Sequence, residues 1–285
     1  MDVLKIDAYA KVNLGLDVVH RLENGYHEVK MVMQTVGICD TLTLKKEAEG
    51  IKITTDSGEI PANEDNLVYK AAKLLMDKYD IGEGVSIHLE KRIPVAAGMA
   101  GGSTDAAAVL KGMNALFSMG LSEEQLKEEG VKLGADIPYC IMGGTALAEG
   151  IGEKLTRLPD TPDAFLLVAK PDINVSTKYV YENLQLDKIE KHPDIDGMVE
   201  SIQAGNLQGV IDRMDNVLQT VTEEKYTVIG ELKRFMEANG ALKALMSGSG
   251  PTVFGIYEDR QKAEAAAEAL KPLNLARQIF VTTFH

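Results

Sequence analysis

The strongest constraint on the fold is a glycine-rich segment, residues 94–104, that runs directly into an alanine-rich helical pattern. The segment reads PVAAGMAGGST, and the following DAAAVLKGMNALF favours a helix because alanine and leucine have high helix propensity. Glycines allow positive φ angles, so consecutive N–H groups can converge on one anion. The start of a helix adds unpaired N–H groups and the positive end of its dipole. The segment predicts a phosphate site at a helix start, with Ser103 or Thr104 as the N-cap.

The spacing of the glycines excludes two common nucleotide motifs. Neither GxxxxGK[ST], the Walker P-loop, nor GxGxxG, the dinucleotide fingerprint, occurs in the sequence. A tight strand-to-helix turn, with glycines that only allow close packing, is the alternative interpretation of this segment. The segment alone does not decide between the two.

Two other segments favour an anion site. MSGSGPTVFG, residues 246–255, is a second loop of glycine and serine between two predicted strands. AYAKVNLGL places Lys11 in an apolar alternating strand, on the same face as Tyr9 and Asn13. A lysine on such a face is unusual unless it meets an anion, although a solvated strand face is the alternative.

The remaining pattern alternates between strands and amphipathic helices, which predicts an α+β fold. Alternating segments on both sides of Glu23-Asn24-Gly25 predict an antiparallel hairpin, because Asn-Gly is typical of tight hairpin turns. Apolar residues at helical spacing from 67 to 79 predict a helix capped by Asn63 or Asp65. Ser122 is the predicted cap of another helix, with Glu124 or Gln125 close to the spacing of a capping box.

A domain boundary is predicted at LPDTPD, residues 158–163, where two prolines and two aspartates interrupt the apolar pattern. This gives a first domain of residues 1–158 and a second of residues 159–285. We expect small-molecule ligands in the cleft between the two, because such clefts commonly form binding sites.

The acidic composition excludes a large class of partners. The 285 residues carry a formal net charge of −13, and lysines and arginines are dispersed, so we expect no nucleic-acid partner. No apolar run approaches the roughly 20 residues of a membrane helix, and no signal-like segment is seen, so we expect a cytoplasmic protein without a membrane partner. Cys39 and Cys140 lie far apart and indicate neither a disulfide framework nor a zinc site.

Three segments occur in an order that resembles the GHMP kinases, the superfamily of galactokinase, homoserine kinase, mevalonate kinase and phosphomevalonate kinase. They are AKVNL, PVAAGMAGGSTDAA and MSGSGPTVFG. The resemblance spans the whole chain, and three ordered motifs are more specific than one glycine loop. It implies a two-lobed fold, with an N-terminal ribosomal-protein-like α/β lobe that binds ATP and a C-terminal ferredoxin-like α+β lobe.

Two details are similar to the kinase of the non-mevalonate isoprenoid pathway that acts on a cytidylyl diphosphate sugar alcohol. They are Gly25-Tyr26-His27 and LGADIPYCIMGG, which contains Asp136. The resemblance implies that the cytidine lies near Asn13, Tyr26 and His27, and that Asp136 and Lys11 flank the reacting hydroxyl. An aspartate there can accept the hydroxyl proton while a lysine counters developing charge. Without the resemblance, Asp136 would be interpreted as a turn residue at the end of a helix.

The resemblance also implies ATP as co-substrate and Mg²⁺ as its counter-ion. Magnesium is expected because the charge of ATP must be partly neutralised; its ligands are unassigned, with the hydroxyl of Ser103 or Thr104 as the candidate. The implied ATP-binding residues are Pro94, Val95, Ala96, Ala97, Gly98, Met99, Ala100, Gly101, Gly102, Ser103 and Thr104, and the supporting glycine loop is Ser247, Gly248, Ser249 and Gly250.

The glycine segment departs from the family pattern at two positions. Ala100 stands where the family commonly has glycine, and Thr104 where serine or alanine is frequent. A methyl group at position 100 disfavours positive φ angles. We therefore expect a stiffer loop and a modest effect on nucleotide affinity.

Two alternative functions stay open at this point. One is a sister kinase that acts on homoserine or mevalonate, which turnover with each acceptor would reveal. The other is a catalytically silent module that binds a nucleotide or RNA, which would bind ATP without releasing ADP. The acidic composition speaks against RNA, and the presence of both Lys11 and Asp136 speaks against a silent module.

Overall fold

The chain folds into strands and helices in mixed order, which confirms the α+β class. The structure is a computed structural model that describes residues 2–23 and 25–285. The strands are β1 (Val3–Arg21), β2 (His27–Glu47), β3 (Ile51–Thr55), β4 (Gly84–Glu90), β5 (Thr145–Glu149), β6 (Lys154–Arg157), β7 (Phe165–Lys170), β8 (Asp215–Asn216), β9 (Lys243–Met246), β10 (Val253–Tyr257) and β11 (Gln278–Thr283). The helices are α1 (Leu67–Lys78), α2 (Gly101–Leu116), α3 (Glu123–Gly130), α4 (Ile137–Met142), α5 (Thr177–Asn183), α6 (Ile195–Gln203), α7 (Leu207–Arg213), α8 (Leu218–Lys225), α9 (Val228–Ala238) and α10 (Arg260–Leu270).

The first two strands are neighbours in one sheet, in the order expected of a hairpin. Between them, the N–H of Leu22 donates to the carbonyl oxygen of Tyr26 at 2.8 Å, and Gly25 has a φ of +86°. Asn24, the first residue of the predicted Asn-Gly turn, lies outside the described residues. Among the residues on either side of it, no helix has the length and apolar character needed to cross a membrane.

The chain divides into two compact units that alternate along the sequence. The first contains residues 2–10, Ile38–Val95 and Ala100–Gly143. In its sheet, the second half of β2 pairs antiparallel with β4, and β4 pairs parallel with β3. Helices α1 and α2 pack against each other, and α2 also packs against α3 and α4. This arrangement buries most of α2 beyond its first turn.

The second unit contains Lys11–Gly37, Ala96–Met99 and Gly144–His285. Here β8 pairs parallel with β1, and β5 pairs antiparallel with both β2 and β6. A separate antiparallel sheet has the strand order β11-β7-β10-β9, and α9 and α10 pack against it. The predicted boundary between residues 158 and 159 stays a prediction.

Two helix starts show how local side chains select the first turn. The Ser122 hydroxyl accepts the N–H of Gln125, and the Gln125 side chain accepts the N–H of Ser122, so the capping box of α3 is confirmed with Gln125, and not Glu124, as the partner of Ser122. Helix α1 is capped by Asn66, whose side chain accepts the N–H of Val68. The prediction of Asn63 or Asp65 was wrong because Asn66 stands immediately before the first helical residue.

Helix α2 begins three residues earlier than a cap by Ser103 would require, and four earlier than a cap by Thr104. Its N-cap is Ala100, which has a φ of +57° in the left-handed region, and no side chain caps the helix. The Ala100 carbonyl already accepts the N–H of Thr104 at 2.8 Å. The Thr104 hydroxyl donates instead to the carbonyl oxygen of Tyr9. The predicted cap is therefore wrong, and Ala100 adopts the positive φ that its methyl group disfavours.

The left-handed Ala100 predicts that glycine stabilises the protein at this position. We expect Ala100→Gly to raise the free energy of unfolding by about 0.5 kcal/mol, because relief of about 1–2 kcal/mol of strain exceeds the added entropy of the unfolded chain. The matched control is Ala115→Gly, an exposed position within α2, which should lower it by about 0.5–1 kcal/mol. Urea unfolding measures the free energy of unfolding of both variants. Equal losses of this free energy in Ala100→Gly and Ala115→Gly would contradict the strain at Ala100.

Candidate active site

The start of α2 presents peptide N–H groups that have no acceptor in the helix. The first intrahelical hydrogen bond joins the N–H of Thr104 to the carbonyl oxygen of Ala100 at 2.8 Å. The preceding N–H groups, of Gly101, Gly102 and Ser103, are therefore available to a ligand. Gly102 is exposed, and the positive end of the α2 dipole lies at this turn. This geometry suits an anion such as a phosphate group.

The two glycine-rich segments meet within the second unit. The Ser247 hydroxyl donates to the carbonyl oxygen of Gly98 at 2.9 Å. A Cβ atom added to Gly98, whose φ is +70°, would lie 2.2 Å from the Ser247 carbonyl oxygen. A Cβ atom on Gly248 would lie 3.1 Å from the Gly98 carbonyl oxygen. Glycine is required at position 98 both by its φ angle and by this close approach.

A buried asparagine that the sequence does not reveal holds the second loop in place. The Asn216 side-chain amide donates to the carbonyl oxygens of Met246 and Gly248, both at 2.8 Å. The side-chain oxygen of Asn216 accepts the N–H of Leu218 at 3.0 Å, so the partners of all three hydrogen bonds are backbone groups. A single asparagine in the segment MDNVL carries no motif, and only the fold brings it to this loop.

Lys11 and Asn13 are buried beside the residues of the first glycine segment. The Lys11 ammonium donates to the Asn13 side-chain oxygen at 2.7 Å, and the Lys11 N–H donates to the Met99 carbonyl oxygen at 3.2 Å. Lys11 is 5% exposed and Asn13 is fully buried. A solvated strand face is therefore the wrong interpretation for these two residues. A buried ammonium requires nearby acceptors, and it supplies a fixed positive charge.

Tyr26 and His27 lie at the start of β2 in different environments. Tyr26 is 60% exposed, whereas His27 is half-buried and its ring centroid lies 5.2 Å from that of Tyr181. Burial, and secondarily the charge of Arg21, lower the pKa of His27. The imidazole is therefore neutral at neutral pH and offers one nitrogen as an acceptor. Tyr181 lies far along the sequence, and no motif indicated it.

Asp136 belongs to the first unit and is the N-cap residue of α4. Helix α3 ends at Gly130, so the interpretation of Asp136 as a turn residue that closes a helix after Gly134 is wrong. The Asp136 carboxyl group is half-buried, and its side chain makes no capping hydrogen bond to α4. A carboxylate is a residue type that can accept a proton from a hydroxyl.

Within residues 2–23 and 25–285, no three side chains of His, Cys, Asp or Glu are grouped so that they could hold a metal ion. Ser103 is half-buried at the third position of α2, where its hydroxyl is the oxygen donor beside the available N–H groups.

The comparison with known proteins identifies two domains of one family. Residues 66–144 match the model of the GHMP kinases N terminal domain, and residues 198–274 match that of the GHMP kinases C terminal domain. A protein of Lachnospira eligens named 4-diphosphocytidyl-2-C-methyl-D-erythritol kinase is 53% identical over 283 residues, which cover 99% of this chain and 98% of that protein.

Solved structures show the same fold. A crystal structure of 4-(cytidine 5'-diphospho)-2C-methyl-D-erythritol kinase superposes with a TM-score of 0.85 and 33% identity, covering 99% of each chain. A homoserine kinase from Cytophaga hutchinsonii superposes with a TM-score of 0.79 at 20% identity, covering 99% of this chain and 94% of that one. The second likeness shows the fold alone.

The contact between the glycine loops predicts a large cost for a methyl group at position 98. We expect Gly98→Ala to lower the free energy of unfolding by about 3 kcal/mol, because the new Cβ would overlap a backbone oxygen in addition to its strained φ. Gly120→Ala is the matched control: its φ is +71°, and a Cβ there meets no atom within 4 Å. Gly120→Ala should lower the free energy of unfolding by about 1 kcal/mol. If urea unfolding gives similar losses of stability for the two variants, the close approach at Gly98 is contradicted.

Proposed function

The chain belongs to the GHMP kinase family, and we propose that it transfers the terminal phosphoryl group of ATP to the 2-hydroxyl of 4-diphosphocytidyl-2-C-methyl-D-erythritol. The products are the 2-phosphate and ADP, in the non-mevalonate route to isoprenoid precursors. The observation that carries this proposal is the identity of 53% along 99% of the chain to a protein of that name. The segment Gly25-Tyr26-His27 supports it at the level of single residues.

We propose that residues 94–104 bind the phosphates of ATP. The available N–H groups at the start of α2 support this role, because they and the helix dipole favour negative charge. The loop of residues 247–250 supports the first loop through the contact of Ser247 with Gly98. Hydrogen-bond donors that are held in place before ATP binds need little reorganisation during the reaction.

Asp136 and Lys11 are the residues that we propose for the chemical step. Phosphoryl transfer needs alignment of the acceptor hydroxyl with the terminal phosphate and compensation of charge on its oxygens. Asp136 would accept the hydroxyl proton, since a carboxylate can act as a general base. Lys11 would counter charge near the transferred group, and its burial strengthens this effect.

The cytidine end of the acceptor is assigned to Asn13, Tyr26 and His27. An exposed tyrosine ring offers a face on which a pyrimidine can stack. The neutral imidazole of His27 offers a donor and an acceptor to the polar edge of the base. These residue types fit a nucleoside better than the small acceptors homoserine and mevalonate.

Magnesium fits the proposed site as a counter-ion of ATP. Mg²⁺ keeps several waters and binds through one or two protein oxygens plus substrate phosphates, so it needs no protein-built cage. The Ser103 hydroxyl would hold it beside the available N–H groups of α2. When bound, the ion would neutralise part of the charge on the phosphates.

The proposed function predicts which acceptor is phosphorylated, and it predicts that Asp136→Asn lowers the turnover. The wild type should phosphorylate 4-diphosphocytidyl-2-C-methyl-D-erythritol in an assay coupled to ADP release, and homoserine and mevalonate should give no turnover above background. Asp136→Asn should lower kcat about 10²- to 10⁴-fold with little change in the affinity for ATP, because it removes the proton acceptor.

The control for this variant is Asp259→Asn, at the N-cap of α10, where asparagine preserves the cap. It should retain the wild-type kcat. Comparable turnover of homoserine or mevalonate would contradict the assigned acceptor, and an unchanged kcat in Asp136→Asn would contradict the assigned base.

A further inference from the structure

A buried cluster of three charged side chains lies in the first unit, outside the residues assigned above. The Lys91 ammonium donates to Oδ2 of Asp105 at 2.8 Å and also to Oδ2 of Asp40. The side chains of Lys91, Asp40 and Asp105 are 6%, 0% and 3% exposed. Charged groups are rarely buried to this degree unless their charges are paired.

The two aspartates differ in how well their charges are compensated. Oδ1 of Asp40 accepts the N–H groups of Arg92 and Ile93, the second at 2.7 Å, so this carboxylate has donors at both oxygens. Asp105 receives only the Lys91 ammonium at Oδ2, and its buried Oδ1 has no hydrogen-bond partner among the residues that the structure describes. Asp105 therefore depends on the Lys91 ammonium for the compensation of its charge.

The cluster is attached directly to the first turn of α2. Asp105 is the fifth residue of that helix. A Cβ atom on Gly101, the first residue, would lie only 3.1 Å from the Lys91 ammonium. An ammonium beside the positive end of a helix dipole is unfavourable by itself, and the two carboxylates compensate for it. The absence of a side chain at position 101 is what allows this close contact.

We propose that Lys91, held between Asp40 and Asp105, positions the first turn of α2 and thereby sets how tightly its N–H groups bind the triphosphate of ATP. This inference rests on the proposed function. Lys91 joins three parts of the unit: β2 through Asp40, the segment after β4 to which it belongs, and α2 through Asp105 and Gly101. It is a positioning residue, because its ammonium is enclosed by the cluster.

The carboxylates also keep the Lys91 ammonium charged. Desolvation lowers the pKa of Lys91, but the charges and hydrogen bonds of Asp105 and Asp40 outweigh it, so the pKa of Lys91 is raised.

The first test removes the ammonium. Lys91→Met should raise the KM for ATP about tenfold or more and leave the KM for the cytidylyl acceptor unchanged, because a displaced first turn affects the phosphates alone. Lys127→Met is the matched control, since Lys127 also contacts two carboxylates, Glu123 at 2.7 Å and Glu124 at 2.9 Å, on α3. It should leave both KM values unchanged. An unchanged KM for ATP in folded Lys91→Met would overturn the proposal.

The second test remains informative if Lys91→Met does not fold. Asp105→Asn keeps the size of the side chain but weakens the acceptor that ties α2 to Lys91, so the KM for ATP should rise about threefold or more while the KM for the cytidylyl acceptor stays unchanged. Asp259→Asn, at the N-cap of α10, is the control and should leave both KM values unchanged. A folded Asp105→Asn with the wild-type KM for ATP would overturn the proposal.

These outcomes are distinct from a failure of the proposed function. If the wild type neither binds ATP nor phosphorylates the cytidylyl acceptor, the function is wrong. If the wild type does both and the variants keep its KM for ATP, only the positioning role of Lys91 is wrong.

Discussion

Peptide N–H groups at the start of α2 are the interaction on which the proposed chemistry depends. The formal net charge of −13 gives the protein an overall field that repels a triphosphate. For the proposed ATP site, the attraction would come from local sources that act over a few ångström, the N–H groups of residues 101–103 and the helix dipole. Backbone donors suit this task because tertiary structure fixes their direction, whereas exposed lysines change conformation and are screened by salt.

The surrounding structure explains how these donors keep their direction. In the second unit, Ser247 and Asn216 bind carbonyl oxygens of the two glycine segments, so each loop is held by side chains from distant parts of the sequence. In the first unit, Thr104 ties α2 to the carbonyl oxygen of Tyr9. Such contacts before substrate binding reduce the reorganisation that binding requires.

Much of the fold and part of the site could be predicted from the sequence, because short-range chemistry leaves local signals. The capping box at Ser122 and the α+β order were confirmed, and the two glycine segments do meet. The cap of α2 was wrong because tertiary contacts place Ala100 in a conformation that its side chain disfavours. Contacts across long stretches of sequence leave no periodic signal, and the residues that could not be predicted are Asp40, Lys91, Asp105, Tyr181 and Asn216.

The most direct test of this account is a ¹H–¹⁵N NMR titration with a non-hydrolysable ATP analogue and Mg²⁺. If N–H groups at the start of α2 bind the phosphates, the amide signals of Gly101, Gly102 and Ser103 should show the largest downfield shifts, and AMP, which lacks the β- and γ-phosphates, should produce much smaller ones. Saturating binding of the analogue with these three signals unmoved would contradict the account, because the triphosphate would then be held elsewhere.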